Sequence, residues 1–411
     1  MASIKVKFRP SCTADREGTI YYLIAHGHQT RQLRTNYRIF PEEWDMRRST
    51  VTAGRESDRR ELILALREEI RHDLDRLTRL DRRLREKDPE YAPDVLLEEF
   101  SRYVHDYSLS NYMEKVIAQL KRNGKVRTSE TYRAALNSFK KFLASHSPEG
   151  EFGETNDLMI DGLTSEIIEA YEAWQRGCDL KANTTSFYMR ILRAVYNRAA
   201  ENGAFENRQP FRHVYTGVDK TIKRAVPLAV IRKIKSLDLS AAPRLDFARD
   251  MFIMSFYLRG MSFIDMAFLR KSDLCNGYVR YRRRKTGQLL VIEWTNEMQR
   301  ILNKYPANES DYLLPVITKP GMNDRRTYLN ASYNINRNLK TVARMAGSPM
   351  PLTLYVARHS WASAARAKGI PVSVISEGMG HNSEMTTQIY LASLDTSIVD
   401  KANSLILKCL R

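Results

Sequence analysis

The hydrophobic pattern of this chain changes its period near residue 40, and this change limits the folds that the chain can adopt. Before it, the segments 4–9, 19–25 and 32–39 alternate apolar and polar residues, as strands of a small half-buried sheet do. After it, apolar residues recur every three or four positions, as on helices. One hairpin signal, over 278–292, interrupts the helical pattern. The pattern predicts an α+β chain that is mainly helical, with a small N-terminal sheet.

A long amphipathic helix is predicted soon after the sheet. Pro41 suits the first position of a helix and starts the helical material. An apolar stripe then runs from about Ser57 to Lys87, where Asp88 and Pro89 end it. The stripe consists of Leu66, Ile70, Leu74, Leu77, Leu80 and Leu84. Packing on its own domain and pairing with a second helix in a coiled coil both fit this stripe.

The length of 411 residues is enough for two or three domains. Helical patterns between residues 101 and 215 form one predicted unit. A polar stretch that contains Pro, Gly and Lys separates this unit from the last one. The sequence therefore predicts three domains, 1–100, 101–215 and 221–411.

The chain is strongly basic, and the excess charge lies in its C-terminal part. The net charge is +18 at pH 7. Residues 221–411 hold 29 Lys and Arg against 14 Asp and Glu, whereas residues 1–220 hold 37 against 34. We therefore expect a polyanionic partner for the C-terminal part, and nucleic acid fits best. A charged surface that serves solubility alone explains the composition equally well.

No metal site, cofactor, secretion signal or membrane span is predicted. Four cysteines are far apart and lack the spacing of zinc ligands or of a disulfide framework. The N-terminus has no apolar stretch after a basic start, and no run reaches the roughly 18 apolar residues of a membrane helix. These features predict a soluble protein of the reducing cytoplasm.

The predicted hairpin carries a basic tip. Alternation over 278–284 indicates one strand, Thr286 and Gly287 indicate the turn, and 289–292 indicates the return strand. Lys285 then lies at the tip, where its ammonium group can reach a DNA groove and give a proton to a leaving alkoxide. A solvated charged surface is the plain alternative for this ArgArgArgLys run.

The C-terminal part combines an arginine, a histidine and a tyrosine at separations that suit attack on a phosphodiester. Arg358 opens ArgHisSerTrpAlaSer, His381 lies in GlyMetGlyHisAsnSer, and Tyr390 lies in ThrThrGlnIleTyrLeu. A guanidinium clamps a phosphate, an imidazole donates to it, and a phenol can displace one of its oxygens. Donors fixed around the phosphate stabilise the charge of the transition state, so a metal ion can be dispensed with.

These motifs resemble the C-terminal active-site block of the tyrosine site-specific recombinases, the phage integrase family. The resemblance implies an enzyme that cuts and rejoins DNA through a 3'-phosphotyrosine at Tyr390. It implies that Arg358 and His381 bind the phosphate and that Lys285 is the general acid. It further implies an arm-type DNA-binding domain in the N-terminal sheet, a core-type DNA-binding domain in the helical unit, and a mainly α catalytic domain with the hairpin.

The resemblance also implies the partners. The substrate is double-stranded DNA with core-type and arm-type sites, and the active form is a homotetramer on two paired sites. The segment after Tyr390 docks on a neighbouring protomer or completes the protomer's own core. Integration, excision or inversion of a mobile DNA segment in the bacterial nucleoid is the expected activity, with DNA-bending accessory proteins as further partners.

Two positions depart from the pattern of the family. Tyr355 replaces the histidine that usually stands three residues before the second arginine, and it can donate a hydrogen bond or pack. Ser262 stands at the place of the first arginine, and Arg259 lies three residues earlier. Positions three apart share a face of a helix, so we expect Arg259 to reach the phosphate instead. This displaced pattern resembles recombinases from mobile elements of the Bacteroidetes group of bacteria. His359 either orients the site or satisfies a backbone group.

Two other functions fit parts of the pattern. A sequence-specific DNA-binding regulator with the same fold would bind DNA without forming a covalent adduct, and the missing first arginine favours it. A type IB topoisomerase would share the chemistry without pairing two DNA sites, and the arm-like sheet disfavours it.

Overall fold

A computed structural model describes residues 2–13, 15–54, 58–146, 157–219, 224–319, 323–391 and 407, with the backbone alone for residues 146, 389 and 390. The chain divides into two compact units, Met1–Asp219 and Lys220–Arg411. Small antiparallel sheets accompany a majority of helical residues, which confirms the predicted fold class. No helix within the ranges given above is both long and apolar enough to span a membrane. The predicted C-terminal docking segment lies outside those ranges except for Leu407, and the boundaries of the three domains stay a prediction.

The first unit opens with an antiparallel sheet in the order β1 (Ser3–Arg9), β2 (Gly18–His26) and β3 (Gln29–Ile39). Alternate residues of a strand point to opposite faces. The central strand β2 accordingly buries Ile20 and Ile24. These residues belong to the same core as the helices that follow.

The opposite face of this sheet is basic. Cross-strand neighbours on it form two rows, Lys7–Tyr21–Arg34 and Arg9–Thr19–Arg38. The guanidinium of Arg9 lies 5.3 Å from the centre of the Tyr21 ring, which is a cation–π distance. The sheet therefore presents cations around an aromatic ring on its outer face.

The helix predicted at Pro41 is reduced to one 3-10 turn, Pro41–Glu43. The short ribbon of β4 (Trp44–Asp45) and β5 (Thr50–Val51) follows it. The long helix α1 (Arg60–Lys87) then matches the predicted stripe. All six apolar residues of that stripe are buried in, or packed against, the core of the first unit. The stripe thus packs on its own unit rather than on a coiled-coil partner.

Five more helices complete the first unit. They are α2 (Pro93–Tyr107), α3 (Leu109–Arg122), α4 (Val126–His146), α5 (Ser165–Gly177) and α6 (Ala182–Glu201). Side-chain caps begin two of them: Ser108 accepts a hydrogen bond from the amide of Asn111, and Thr164 accepts one from the amide of Ile167. Aromatic rings fill the space between α4 and α5, where Phe139 packs edge-on to Tyr171.

A buried polar network joins the sheet, α1 and the segment before α5. Asp73 accepts hydrogen bonds from the hydroxyls of Tyr22 and Tyr37 at 2.9 and 2.8 Å. Arg76 donates to Asp73 at 2.8 Å and holds both carboxylate oxygens of Asp161 at 2.7 and 3.0 Å. Burial by itself raises the pKa of Asp161, but the hydrogen bonds and charge of Arg76 outweigh burial and lower it. Asp161 is therefore ionised and paired.

The second unit is built around α8 (Pro243–Tyr257), whose residues 248–255 are buried. Four of the helices around it contact it directly. Around it lie α7 (Leu228–Ser236), α9 (Phe263–Ala267), α10 (Asn296–Leu302), α11 (Asp324–Met345) and α12 (Leu354–Ala367). α13 (Val372–Met379) and α14 (Glu384–Leu391) follow. The predicted hairpin forms β7 (Tyr278–Arg282) and β8 (Leu289–Glu293), which extend β6 (Leu274–Cys275) into an antiparallel sheet.

We predict that Asp161→Ala destabilises the first unit by roughly 3 kcal/mol, because it breaks a buried ion pair and leaves the Nε and Nη2 donors of Arg76 without their acceptor. Hydrogen exchange of the α1 amides in the full chain measures this loss. Glu68→Ala is the matched control, since it removes the exposed partner of Arg71 on the same helix. It should cost at most about 1 kcal/mol, and equal losses in both variants would contradict the role of the buried network.

Candidate active site

Arg358 lies in the middle of α12 with its side chain buried. Its Nη1 donates to the carbonyl of Gly260 at 2.7 Å, and its Nη2 donates to the carbonyl of Met379 at 2.7 Å. The same Nη2 lies 3.0 Å from Nε2 of His381. These contacts hold the guanidinium between the turn after α8 and the end of α13.

His381 is also buried, and it has a second ring contact: its Nδ1 lies 2.7 Å from the hydroxyl of Thr387 in α14. A guanidinium has donors and no acceptor, so Nε2 of His381 must accept from Arg358. A neutral imidazole then carries its proton on Nδ1. Burial, followed by the positive charges of Arg358 and of two cations in the hairpin loop, lowers the pKa of His381 to about 4. The ring is therefore neutral at pH 7.

The two cations of the hairpin loop that lower the pKa of His381 are Arg283 and Lys285, between β7 and β8. Lys285 is exposed, whereas Arg283 is buried. Nη1 of Arg283 donates to the carbonyl of Gly380, and the hydroxyl of Thr286 donates to the same oxygen at 3.2 Å. The loop that carries Lys285 is thereby tied to the residue that precedes His381.

Arg283 was not among the predicted site residues, although the sequence contains a signal for it. Val279, Tyr281 and Arg283 are buried, while the intervening Arg280 and Arg282 are exposed. This alternation with a period of two continues one residue beyond the last residue of β7, Arg282, and so places Arg283 on the inward face. Treating the ArgArgArgLys run as uniformly exposed conceals this.

Arg259 lies in a tight turn, so the expectation that it shares a helical face with Ser262 is wrong. α8 ends at Tyr257, and Arg259 and Gly260 both adopt left-handed backbone conformations with φ of 56° and 72°. A Cβ on Gly260 would come within 2.8 Å of the Cα of Arg358. The turn is therefore packed against α12, and a left-handed residue other than glycine costs about 1–2 kcal/mol there.

The side chain of Arg259 lies near the same pocket. Its Cδ is 3.9 Å from where a Cβ on Gly378 would stand. Burial and the Asp265 carboxylate raise the pKa of Tyr281, and three guanidinium groups oppose that rise. They belong to Arg358, Arg283 and Arg259. The structure thus brings Arg358, His381 and Lys285 together, with Arg259 beside them.

Ser262, at the position where the family pattern expects an arginine, is occupied by another contact. Its hydroxyl donates to Oδ2 of Asp265 at 2.6 Å, and a hydroxyl has only one proton to donate. Asp265 also accepts a hydrogen bond from the amide of Arg284 at 3.0 Å. Ser262 therefore supports the start of α9 and offers no donor to a phosphate.

Tyr355 and His359 lie one turn apart on α12. Their rings meet edge to face at 4.6 Å. Tyr355 is 57% exposed, whereas His359 is buried. Tyr355 thus packs on one side and faces solvent on the other, which fits both of its predicted roles.

Tyr390 belongs to α14, and its side chain lies outside the described part of the chain. Two neighbours fix the helix that carries it. Thr387 is fully buried against His381, and Leu391 is buried in a small core that includes Ile375 and Met379. The backbone at Tyr390 is therefore anchored one helical turn from the residue that contacts His381.

We predict that Gly380→Ala weakens the pocket more than Gly369→Ala does. Both glycines are left-handed, so each substitution costs about 1–2 kcal/mol of stability. A Cβ on Gly380 would also meet Leu290 at 2.9 Å and Arg283 at 3.1 Å, whereas one on Gly369 would meet nothing within 4 Å. Chemical unfolding of both variants measures the difference, and equal losses would show that the hairpin does not pack closely on Gly380.

Comparisons with known proteins agree with this geometry. Residues 108–214 match the phage integrase SAM-like domain, and residues 238–397 match the phage integrase family. Tyrosine recombinase XerC of Thermodesulfovibrio yellowstonii is 24% identical over 295 residues, which cover 69% of this chain and 91% of the relative. Tyrosine recombinase XerA of Thermococcus kodakarensis is 25% identical over 255 residues, which cover 57% of this chain and 86% of the relative.

Solved structures share the fold. A lambda integrase tetramer bound to a Holliday junction matches with a TM-score of 0.53 and 14% identity, over 90% of this chain and 92% of that chain. The Tn1549 transposon integrase in complex with transposon right end DNA matches with a TM-score of 0.50 and 14% identity, over 73% of this chain and 99% of that chain. These matches, together with the family models and the curated relatives, confirm the resemblance found in the motifs: the chain belongs to the phage integrase family of tyrosine recombinases.

Proposed function

We propose that this protein is a site-specific recombinase that cleaves and rejoins double-stranded DNA through a 3'-phosphotyrosine on Tyr390. One observation carries the proposal: Arg358 and His381 contact each other in a buried pocket that borders the Lys285 loop and the helix of Tyr390. A pocket with these donors suits a phosphodiester whose charge grows during displacement.

The proposed chemistry balances without an energy source. The phenol oxygen of Tyr390 attacks phosphorus and forms a new P–O bond, the proton of the phenol passes to solvent, and the bond to the 5' oxygen breaks. The exposed ammonium of Lys285 gives a proton to that leaving oxygen, which becomes a free 5' hydroxyl. The phosphotyrosine keeps the energy of the phosphoester, so a 5' hydroxyl from the partner strand can attack it and restore the DNA.

Four cationic or polar groups hold the phosphate in this proposal. Arg358 binds it from α12. His381 binds it from the position after Gly380, which caps α13. Arg259 supplies the donor that Ser262 cannot, because the hydroxyl of Ser262 is used by Asp265. The left-handed backbone at Arg259 supports this role, since strained residues are retained mainly where function requires their geometry. Tyr355 adds a hydrogen bond from its exposed face.

The partners follow from the surfaces and from the relatives. The basic outer face of the N-terminal sheet would bind an arm-type site, and the helical region 108–214 would bind a core-type site. The related lambda integrase forms a tetramer on a Holliday junction, so we propose a homotetramer on two paired DNA sites.

The similarity to the Tn1549 transposon integrase supports a mobile-element substrate. We further propose a mobile element of the Bacteroidetes type, action on nucleoid DNA in the cytoplasm, and DNA-bending accessory proteins.

The first test of this function is covalent trapping on a suicide DNA substrate with a nick near the crossover. The wild type should form a protein–DNA adduct, and Tyr390→Phe should form none while it still binds DNA. Tyr355→Phe is the matched control and should keep the adduct. An adduct in Tyr390→Phe that disappears in Tyr355→Phe would assign the nucleophile to Tyr355.

DNA binding without an adduct in the wild type would favour the regulator. Relaxation of supercoils without pairing of two sites would favour a type IB topoisomerase.

The second test addresses the displaced arginine. Arg259→Ala should slow single-turnover cleavage by about 100-fold to 1000-fold, as loss of one preorganised donor does. Arg300→Ala, at an exposed position of α10, removes the same charge from the same unit and should leave the rate near that of the wild type. Equal rates for both variants would exclude Arg259 as a phosphate ligand.

A further inference from the structure

We propose that Thr387 is a positioning residue of the active site, whose hydroxyl accepts a hydrogen bond from Nδ1 of His381 and thereby holds the ring with Nε2 facing Arg358 and the incoming phosphate. This inference rests on the proposed function and deepens it, because it assigns the proton on the phosphate-binding histidine. It also assigns a role to the second threonine of the ThrThrGlnIleTyrLeu motif, Thr387, because the proposed chemistry uses only Tyr390 of that motif.

Both ring nitrogens of His381 lie within hydrogen-bond distance of a neighbour. Arg358 can only donate, so it forces Nε2 to be an acceptor. A hydroxyl can donate or accept, so Thr387 can accept from the proton that remains on Nδ1 at 2.7 Å. Thr387 is fully buried, so water does not compete for this bond. The two contacts together leave one tautomer.

Phosphate binding must then change the hydrogen bonding of Nε2 of His381. A phosphate oxygen is an acceptor, and it cannot pair with an Nε2 that presents a lone pair. Nη2 of Arg358 therefore donates its hydrogen bond to one phosphate oxygen, and Nε2 of His381 takes up one proton from solvent, keeps it, and donates a hydrogen bond to a second oxygen. The bond from Nδ1 to Thr387 is the same before and after, so the ring keeps its orientation throughout.

The electrostatic surroundings agree with this proton uptake. The charged groups that act on His381 are Arg358 from α12, and Arg283 and Lys285 from the hairpin loop. All three are cations and disfavour a second proton on the ring. A phosphodiester adds the opposite charge at the same place, so docking favours the proton that the DNA-free pocket excludes. Binding of the scissile phosphate should therefore strengthen as the pH falls toward about 4, where the ring of His381 takes up the proton without DNA.

Thr387 also connects this histidine to the nucleophile. It lies three residues before Tyr390 on α14, and residues three apart share a face of a helix. A displacement of α14 would therefore change the ring of His381 together with the position of the Tyr390 backbone. The motif thus joins the group that binds the phosphate to the helix that attacks it.

Nitrogen-15 NMR of the full chain with labelled histidines tests the tautomer without DNA. His381→Gln identifies the signal of His381 among the eight histidines. At pH 7 the wild type should show a protonated Nδ1 and an unprotonated Nε2. Thr387→Val should keep this tautomer, because Arg358 is still present, but should shift the Nδ1 signal away from that of a hydrogen-bonded group, and Thr387→Ser should restore the signal. A protonated Nε2 in the wild type, or an unchanged Nδ1 signal in Thr387→Val, would overturn the proposal.

Single-turnover cleavage provides the second measurement. Thr387→Val should slow cleavage by a factor on the order of ten, as for one lost hydrogen bond of ordinary strength, and should change its pH profile, while Thr387→Ser keeps both. Thr386→Val is the matched control, because Thr386 is exposed and its hydroxyl contacts Ser383 instead. A loss in Thr386→Val equal to that in Thr387→Val would contradict the assignment. Absence of any adduct in the wild type, with the predicted tautomer present, would refute the recombinase function and leave the role of Thr387 toward His381 standing.

Discussion

The hydrogen bonds of Arg358 to two backbone carbonyls determine the geometry on which the rest of the pocket depends. Gly260 follows α8 and Met379 ends α13, so these bonds join parts of the chain that are 98 and 21 residues away from Arg358. Hydrogen bonds from a charged donor contribute about 1.5–3 kcal/mol each. His381 then takes its place against the same guanidinium. The position of each candidate phosphate ligand is therefore set by how one buried arginine satisfies its donors.

Two glycine turns make this arrangement sterically feasible. Gly260 and Gly380 are both left-handed, and each presents its carbonyl to an arginine: Gly260 to Arg358, and Gly380 to Arg283. Close approach also excludes a side chain at either place, because an added Cβ would fall within 3.0 Å of a neighbour. The second turn explains how an exposed hairpin loop can hold Lys285 at a defined place, since Thr286 shares the same carbonyl.

The sequence predicted those parts of the structure that local patterns encode. The stripe of α1 and the hairpin follow from hydrophobic period, and Arg358 and His381 follow from a motif of fixed spacing. The position of Arg259 did not follow, because a left-handed residue after α8 breaks the helical geometry that relates it to Ser262. The pairing of Arg76 with Asp161 did not follow either, because 85 residues separate them and no local pattern relates such distant side chains.

Buried arginines outside the pocket, Arg76 of the first unit and Arg249 of the second, are held by carboxylates, whereas the buried arginines of the pocket contact carbonyl oxygens. Arg76 is held by the carboxylates of Asp73 and Asp161, so its charge is neutralised within the protein. Arg358 and Arg283 donate to carbonyl oxygens, which satisfy hydrogen bonds without cancelling a full charge. A balanced network favours stability of the fold, whereas the carbonyl that Arg283 contacts does not cancel its charge, which adds a positive potential to a pocket of low dielectric constant. That potential favours an anion, and together with burial, which is the larger cause, it keeps His381 neutral. The choice of partners for these arginines therefore contributes both to the preference of the pocket for an anion and to the protonation state of His381.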